Sequence, residues 1–513
     1  MRVKNSLKNF GAGLGTMLVS NILAFVSRTV FIQILGSTYL GVNGLLTNVL
    51  SMLSLAELGI GTAINFSLYK PIADNDEKRI LILMNFYKIA YRWIGVLVLI
   101  IGFVLMPFLD VIIKNPGDVK NLSLIFFIYL INTASSYFMT YKTTLLNAYQ
   151  KGYLITSINI LFNIFTVILQ IVVLILTKSY IAYLVINMIL LFIQRLYVNK
   201  KIEKTYPIVS KRSKEKLPKE ELAQIIKNVK AMMFHKVGDY CINGTDNIII
   251  STFISVSMVG IYSNYFMIIT MVNGIIVMLF NSMTASMGNL IVRESNARKI
   301  EIFSLINFIG FWIFGFATIC FYNLLNPFIE LWLGEKFLIS HNILVIVLLN
   351  YYLTGMRVPV ATLKSAAGLY DEDKFTPIIQ AVVNLGVSIV LVQRWGLAGV
   401  FMGTLVSSII LPCWQRPYIV CKYALNTSSK DYFVKYFKYL SMVIVLTIGI
   451  SFICHKFLLD TTIFNFILRM ILCILVPNTL FILIFRKTSD FKEIVNIINN
   501  VLGGRFTWIK KLA

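Results

Sequence analysis

The side chains most able to do chemistry in this chain are charged groups that lie inside long apolar segments. Three of them are cations, namely Arg28, Lys236 and Arg357. A charge at the centre of a bilayer costs about 2.5–3.5 kcal/mol on insertion scales, so each cation needs a partner or a hydrated cavity. Guanidinium groups bind phosphate through paired hydrogen bonds and stay charged at physiological pH. These cations therefore predict a cavity for an anionic ligand such as a pyrophosphate or an acidic sugar, with Asn163 as a further polar contact.

Titratable side chains form a second group in the same segments. His235, Asp239, Asn243 and Asp246 are spaced so that they share one face of a helix. Glu57 lies in an earlier apolar segment. Protonation of a buried carboxylate removes the cost of desolvating its charge, which makes the group usable as a switch. We therefore predict that Glu57, Asp239, Asp246 and His235 either couple transport to H⁺ or Na⁺ or form charge pairs.

The same residues also allow purely structural roles. Arg28 and Glu57 can form an ion pair between neighbouring helices, and Asp239 can pair with Lys236 or His235. Intramembrane Asn, Ser and Thr side chains frequently hold helices together rather than bind a ligand.

Long apolar helices are the elements that must position these groups. Hydrophobic residues make up 58% of the 513 residues, and the mean hydropathy is +0.78, whereas soluble domains are about 45–50% apolar. A helix that crosses ~30 Å of hydrocarbon needs about 20 residues. The predicted fold is an all-α polytopic membrane protein with about 14 transmembrane helices, in two related six-helix bundles plus two C-terminal helices. The predicted spans are 10–35, 42–69, 90–113, 122–146, 154–176, 180–197, 231–254, 259–286, 302–325, 339–362, 376–393, 397–415, 437–458 and 463–485.

The distribution of Lys and Arg predicts the orientation. If the first span enters from the cytoplasm, the inside loops and tails hold 37 of the 47 basic residues, the outside loops hold 6, and 4 lie within spans. Cytoplasmic loops retain Lys and Arg, so both termini are predicted to be cytoplasmic. The net charge of +24 is explained by this topology and by the attraction of Lys and Arg to anionic lipid headgroups. We therefore predict membrane lipids rather than nucleic acid as partners.

An internal repeat accompanies this topology. A shift of 219 residues places Gly41 on Gly260, and downstream it places Thr143 on Thr362. Parallel repeats of this kind frequently build transporters whose site lies between the halves. The predicted domains are an N-terminal six-helix bundle (1–198), a basic cytoplasmic linker (199–230), a C-terminal six-helix bundle (231–421), and two additional transmembrane helices with a basic cytoplasmic tail (422–513).

Several short motifs carry a family resemblance. Asn21, Arg28, the segment Leu40–Val42, the acid-Leu-Gly-apolar-Gly segment within Leu55–Gly61 and the run Asp246–Ile250 resemble the polysaccharide-transport (Wzx-type) flippases. These flippases belong to the superfamily of multidrug, oligosaccharidyl-lipid and polysaccharide exporters. The resemblance extends over the whole chain in the number of spans, their six-plus-six-plus-two arrangement and the basic linker.

This resemblance implies a flippase for an undecaprenyl-pyrophosphate-linked oligosaccharide repeat unit in the bacterial cytoplasmic membrane. Such proteins serve the synthesis of capsule, exopolysaccharide or related envelope polymers. They are expected to use alternating access coupled to an ion gradient and to work beside a polysaccharide polymerase and glycosyltransferases of the same pathway. The motif positions imply that Arg28 and Glu57 are cavity residues.

Two other functions fit parts of the sequence. A cation-coupled multidrug exporter of the same superfamily usually ends after twelve spans, and the additional pair and the arginines argue against it. A polysaccharide polymerase or glycosyltransferase needs chemistry at the outer face, where the predicted loops are short. The six cysteines include no C-x-x-C pair and the three histidines are scattered, so no metal site, disulfide framework or cofactor is predicted.

Overall fold

The computed structural model describes residues 2–53, 57, 60–113, 119–149, 151–211, 215, 217–458 and 460–501. Within these residues the regular secondary structure is helical, as predicted. Short 3₁₀ turns and one π-helical turn separate some of the α-helices. The α-helices are α1 (Arg2–Leu53), α2 (Ile60–Ala73), α3 (Glu77–Leu105), α4 (Leu109–Ile112), α5 (Leu122–Met139), α6 (Thr143–Ala148), α7 (Gly152–Thr177), α8 (Tyr180–Thr205), α9 (Lys219–Phe253), α10 (Val256–Arg293), α11 (Asn296–Leu333), α12 (His341–Ala366), α13 (Thr376–Trp395), α14 (Leu397–Ile410), α15 (Pro412–Ile419), α16 (Lys430–Phe457), α17 (Ile463–Phe485) and α18 (Ser489–Val501).

Twelve helices within the described residues are long and apolar enough to cross a membrane, so the chain is a multi-pass membrane protein. One of them, Gly15–Leu53, covers most of the first predicted span and the start of the second. Its helical geometry is interrupted at Gly36 (φ 82°, ψ −178°), a conformation that glycine adopts without strain. Helix α9 occupies the predicted seventh span although it is not one of the twelve. The described part of every predicted span is therefore mainly helical, and the prediction of about fourteen spans is confirmed.

Local sequence signals explain where several helices begin and end. The Asp76 side chain accepts a hydrogen bond of 2.9 Å from the backbone N–H of Arg79 at the start of α3. Ser295 caps α11 in the same way, and both residues satisfy N–H groups that lack helical partners. Helix α14 stops before Pro412, because proline restricts the preceding residue and opens a new helix as its first residue.

Large apolar side chains remain exposed along the helices. Leu176 is 77% exposed, Trp93 70% and Phe452 66%. Contiguous exposure of this kind is rare on soluble monomers. A bilayer provides the apolar surroundings that these side chains require.

The chain divides into two compact units, Met1–Ser263 and Asn264–Ala513. Much of the segment predicted as a linker is helical, since α8 continues to Thr205 and α9 begins at Lys219. It also contacts α3, where Arg79 pairs with Glu221. The predicted domain boundaries at 198, 230 and 421 stay predictions.

Helix α11 forms much of the core of the second unit. Phe308 and Phe311 are fully buried and pack against Tyr439 and Phe485 of the last two long helices. The additional C-terminal helices are therefore integral to this unit.

The short helix α18 also packs on α11. Phe491 of α18 is buried and stacks on Trp312 of α11. An ion pair of 3.1 Å between Arg298 and Glu493 joins the same two helices. The chain beyond the last long apolar helix thus belongs to the core of the second unit as far as Val501.

Helices α1 and α10 meet at Gly41 and Gly260, the two glycines related by the 219-residue shift. A Cβ atom on Gly41 would overlap the backbone oxygen of Val256, and one on Gly260 would overlap that of Ser37. Beside this contact, Oγ of Ser37 and Oγ of Ser257 share a hydrogen bond of 2.9 Å. Small residues allow such close backbone approach in membrane helices. The two glycines are thus required by packing.

We predict that Gly41→Ala lowers the thermal unfolding midpoint of the detergent-purified protein. An added methyl group in a filled contact costs about 1–3 kcal/mol. Gly44→Ala is the matched control, because the nearest atom to its added Cβ would be 3.9 Å away, at ordinary van der Waals contact. The control should keep or slightly raise the midpoint, since alanine favours helix. Equal midpoints for the two variants would contradict the tight contact.

Candidate functional site

A polar cavity of ≈ 650 Å³ lies within the first unit. Residues of α2, α3, α5, α6 and α8 line it, together with Glu57 from the short segment before α2. Its lining consists mainly of amides, hydroxyl groups and tyrosines, with one carboxylate and one guanidinium. The lining residues are Glu57, Gly61, Asn65, Tyr87, Tyr91, Asn132, Thr133, Ser136, Tyr137, Thr143, Thr144, Asn147 and Arg195.

Glu57, the carboxylate of this cavity, is held by a tyrosine pair on α3. The Tyr91 hydroxyl donates a hydrogen bond to Oε1 of Glu57. The Tyr91 ring packs edge-on against Tyr87, with centroids 4.3 Å apart, and Oγ1 of Thr144 donates to the Tyr87 hydroxyl at 3.1 Å. A Cβ on Gly61 would come within 3.0 Å of Glu57 and of both tyrosine hydroxyls, so glycine leaves room for this network. The network fixes an acid at the cavity wall.

Arg195 supplies the cation of the cavity. Its Nη1 donates to the backbone oxygen of Asn132 at 3.0 Å and to Oγ of Ser135 at 2.6 Å. Arg195 also lines a second cavity of ≈ 410 Å³, which shares part of its lining with the first. Sequence reasoning missed Arg195 because it lies at the end of a predicted span, where basic residues serve as topology signals. The neighbouring Gln194 donates a hydrogen bond to Asn159, and these two amide residues within apolar segments were the sequence signal that could have indicated a polar cavity here.

Two acceptor atoms of residues that line the first cavity have no donor within the part of the chain that the structure describes. Oδ1 of Asn65 and Oδ1 of Asn132 are buried and make no hydrogen bond to any described residue. A buried acceptor without a donor costs about 1–3 kcal/mol. A ligand rich in hydroxyl groups can supply such donors, and it can also accept hydrogen bonds from amides and a guanidinium. The cavity is therefore chemically suited to a saccharide.

Three of the predicted site residues lie elsewhere in the first unit. Nη1 of Arg28 donates to Oγ of Ser263 at 2.9 Å, and the Asn163 amide donates to Oγ of Ser20 at 3.1 Å. Asp246 lies within electrostatic range of the Tyr262 hydroxyl. The ion pairs of the described residues do not include one between Arg28 and Glu57, the structural alternative considered from the sequence. Of the predicted residues whose side chains are described, Glu57 is the one that lines the cavity of this unit.

The remaining predicted residues lie on α9 and α12. The α9 backbone carries His235, Lys236 and Asp239, but their side chains lie outside the described residues. Arg357 lies on α12 in the second unit and bonds Oγ1 of Thr354 through Nη2 at 2.9 Å. The shared role that the sequence predicts for these residues stays a prediction. Among the side chains that the structure describes, none form a cluster of three or more His, Cys, Asp or Glu that could hold a metal ion.

Solved structures of membrane transporters share this fold. The chain is similar to a lipid II flippase, MurJ, in an inward closed conformation, with a TM-score of 0.69, 14% identity, and coverage of 94% of this chain and 99% of that one. It is also similar to an inward-facing multidrug resistance MATE transporter of the MOP superfamily (TM-score 0.60, 16% identity, 77% and 94% covered). The Vibrio cholerae MATE transporter VcmN in its bent form gives a TM-score of 0.54 at 15% identity, with 83% and 98% covered.

Sequence comparison identifies the family. No curated protein matches the chain. The model of a family described as polysaccharide biosynthesis protein matches residues 6–284, which is more than half of the chain. This match includes nearly all of the first unit and both of its polar cavities. The resemblance to polysaccharide transporters is thereby confirmed, and the chain belongs to the polysaccharide biosynthesis protein family.

Proposed function

We propose that this protein is a flippase that moves an undecaprenyl-pyrophosphate-linked oligosaccharide repeat unit across the bacterial cytoplasmic membrane. The product would serve capsule, exopolysaccharide or related envelope polymer synthesis. The observation that carries the proposal is a polar cavity within a multi-pass protein of a polysaccharide biosynthesis family. The similarity to a lipid II flippase supports the same class of cargo. Both termini are cytoplasmic in this proposal, and the protein transports without catalysing a covalent reaction.

The cavity of the first unit receives the saccharide in this proposal. Sugar hydroxyls donate hydrogen bonds to the Oδ1 atoms of Asn65 and Asn132. Arg195 contributes further hydrogen-bond donors, and the tyrosine rings contribute surfaces on which a sugar can pack. A bound polar headgroup needs such partners because hydrocarbon offers it none. The proposed binding residues for the anionic part of the substrate are Arg28, Lys236, Arg357 and Asn163.

Glu57 is the proposed coupling residue of this cavity. Its carboxylate lies at the wall of a polar space and accepts a hydrogen bond from Tyr91. Proton binding would neutralise it and change both its hydration and its hydrogen bonding. Asp239, Asp246 and His235 are further candidates for binding H⁺ or Na⁺ in the cycle. The pathway's polymerase and glycosyltransferases are the proposed functional partners.

Reconstitution tests the proposed function directly. Purified protein in liposomes should move an undecaprenyl-pyrophosphate-linked oligosaccharide between leaflets, measured by the accessibility of its sugars to an added lectin or periodate. Protein-free liposomes and heat-inactivated protein are the controls. Export of a cationic dye with no movement of the saccharide lipid would instead favour the multidrug exporter with the same fold. Elongation of the glycan in the same vesicles would favour a polymerase.

Arg28→Ala is expected to reduce saccharide-lipid movement at least tenfold, because it removes a charge-assisted contact from the proposed substrate path. Arg28→Lys tests whether the planar fork is required or a point charge suffices. Arg394→Ala is the matched control, since this arginine is exposed and lies in a predicted outside loop. Unchanged movement by Arg28→Ala, at equal protein levels in the membrane, would remove Arg28 from the substrate path.

Glu57→Gln is expected to abolish the stimulation of movement by a pH gradient while leaving downhill exchange measurable. Glutamine keeps the shape and an acceptor for Tyr91 but cannot titrate. The measurement compares the flipping rate in liposomes with and without an imposed gradient of pH or Na⁺. Tyr91→Phe is the companion variant, because it removes the hydrogen bond and keeps the acid. A Glu57→Gln protein that still responds fully to the gradient would exclude Glu57 as the coupling group.

A further inference from the structure

The guanidinium of Arg357 is incompletely satisfied inside the second unit. It lies on α12, and its Nη2 contacts Thr354 one turn earlier. Its Nε and Nη1 atoms are buried and make no hydrogen bond to any described residue. Pro359 follows two residues later and has no N–H to give to the carbonyl of residue 355. This turn of α12 therefore contains a guanidinium with unused hydrogen-bond donors and lacks one backbone hydrogen bond of the helix.

A second arginine lies close to the first. Arg416 is carried by the short helix α15, which starts at Pro412 where α14 breaks. It lies within electrostatic range of Arg357, so the two like charges repel. The buried Nε of Arg416 is 3.7 Å from Oδ2 of Asp373, beyond hydrogen-bonding distance, and makes no hydrogen bond within the described part of the chain. Two guanidinium groups thus present unused donors in the same region.

The acid in this region does not balance the cations. Asp373 is almost fully buried and its Oδ2 is already bonded to Lys364. One carboxylate is therefore shared by Lys364 and Arg416, and Arg357 adds a third positive charge. Lys364 also lies within electrostatic range of Glu372, but two guanidinium groups and an ammonium still exceed these two carboxylates by one positive charge, which an anion would offset.

Two other arginines of this unit are better satisfied. Arg298 pairs with Glu493 at 3.1 Å. Arg469 has an unpartnered Nε but donates through Nη2 to a backbone oxygen. Arg357 leaves two nitrogens unused, and Arg416 adds a third within electrostatic range. This combination of several unused donors and neighbouring like charges singles out the cluster as a place for an anion.

Aromatic side chains border the cationic cluster. Tyr432 and Tyr436 stack with centroids 6.0 Å apart, within electrostatic range of Arg357. The Tyr436 hydroxyl is buried without a partner among the described residues. Both rings line a cavity of ≈ 90 Å³. This hydroxyl is a further donor that a bound anion could use.

An apolar surface lies beside the cluster. Trp414, two residues before Arg416 on α15, packs on Phe433 with centroids 4.7 Å apart. The Trp414 side chain is nevertheless 44% exposed. An exposed aromatic ring next to half-buried cations suits a ligand with an anionic head and an apolar chain, which is the chemistry of a lipid.

Arg357 lies in the C-terminal half of α12. Arg357 precedes Ala366, the last residue of α12, by nine residues, or ~13 Å along the helix axis. A long arginine side chain can reach further toward the headgroups. Arg416 on α15 and Tyr432 on α16 flank the short connection between these helices, which is predicted to lie at the same membrane boundary as the end of α12. In the orientation proposed above, this boundary faces the cytoplasm.

We propose that Arg357 and Arg416 form a site for the phosphate group of a lipid at the cytoplasmic boundary of the second unit. Arg357 binds the phosphate through its Nε and Nη1 atoms, and Arg416 and the Tyr436 hydroxyl bind further oxygens. Trp414 and its aromatic neighbours contact the first part of the lipid chain. Asp373 acts as a positioning residue that holds Arg416. The assignment of a polyprenyl pyrophosphate as the natural ligand rests on the proposed function, whereas a phosphate-binding site does not.

Equilibrium binding to the detergent-purified full-length protein, counted by native mass spectrometry, tests this site. Four probes separate the chemistries: undecaprenyl pyrophosphate, phosphate-free undecaprenol, phosphatidylglycerol and inorganic pyrophosphate. We expect undecaprenyl pyrophosphate to bind and undecaprenol to bind at least tenfold more weakly. Phosphatidylglycerol binding with the same affinity would support the site and identify bulk anionic lipid as its occupant. Undecaprenol binding as tightly as its pyrophosphate, or inorganic pyrophosphate binding as tightly as the lipid, would overturn the proposal.

Substitutions locate the binding. Arg357→Gln and Arg416→Gln should each weaken phospholipid or pyrophosphate-lipid binding about tenfold, and Arg357→Lys should recover only part of the loss because lysine lacks the fork. Lys422→Gln is the matched control, since it removes an exposed charge close to the end of α15 and should change binding less than twofold. Wild-type affinity in both glutamine variants would exclude the site. Because the assay needs no transport, failure of binding with intact flipping contradicts this site alone, and binding without flipping contradicts the proposed function alone.

Discussion

Hydrocarbon does not solvate charge, and the placement of many polar side chains in this protein follows from that constraint. The Glu57 carboxylate accepts a hydrogen bond from Tyr91, and the Arg28 guanidinium donates one to Ser263. Each arrangement gives an ionisable group a partner where water is scarce. The apolar remainder of each helix can then face lipid, as the exposed Leu176 does. Groups left without partners are informative because leaving them so is costly.

Polar residues consequently fall into two classes. Some join helices to one another, as Asn163 does with Ser20. Others line a cavity and leave an acceptor atom without a donor among the described residues, as Asn65 and Asn132 do in the first unit. Composition does not distinguish the classes, because the same amide can serve either role. Only the three-dimensional surroundings decide, and they bring amides, tyrosines and one guanidinium together around the cavity of the first unit.

The membrane fold could be predicted from sequence because each span must satisfy its backbone internally and present about 20 apolar residues. Gly41 and Gly260, which the 219-residue shift relates, are in contact, and the internal repeat itself stays a prediction. Side-chain partners were less predictable. Glu57 bonds to Tyr91 of α3, and Arg195 looked like a boundary charge although it lines the cavity. Both outcomes depend on which helices are neighbours and on how each helix is rotated about its axis. The hydropathy of the sequence specifies neither. Much of the segment predicted as a linker is helical, in keeping with the helix-forming tendency of its Lys and Glu residues.

The kink at Gly36 has a practical consequence for labelling this protein. The empty space around the residue shows that crowding does not demand glycine there, whereas its positive φ does. A side chain at this position would therefore be strained by the backbone conformation and not by its neighbours. The next residue, Ser37, packs against Gly260 and shares a hydrogen bond with Ser257, so an epitope or fluorophore inserted after Gly36 would disturb the contact between α1 and α10.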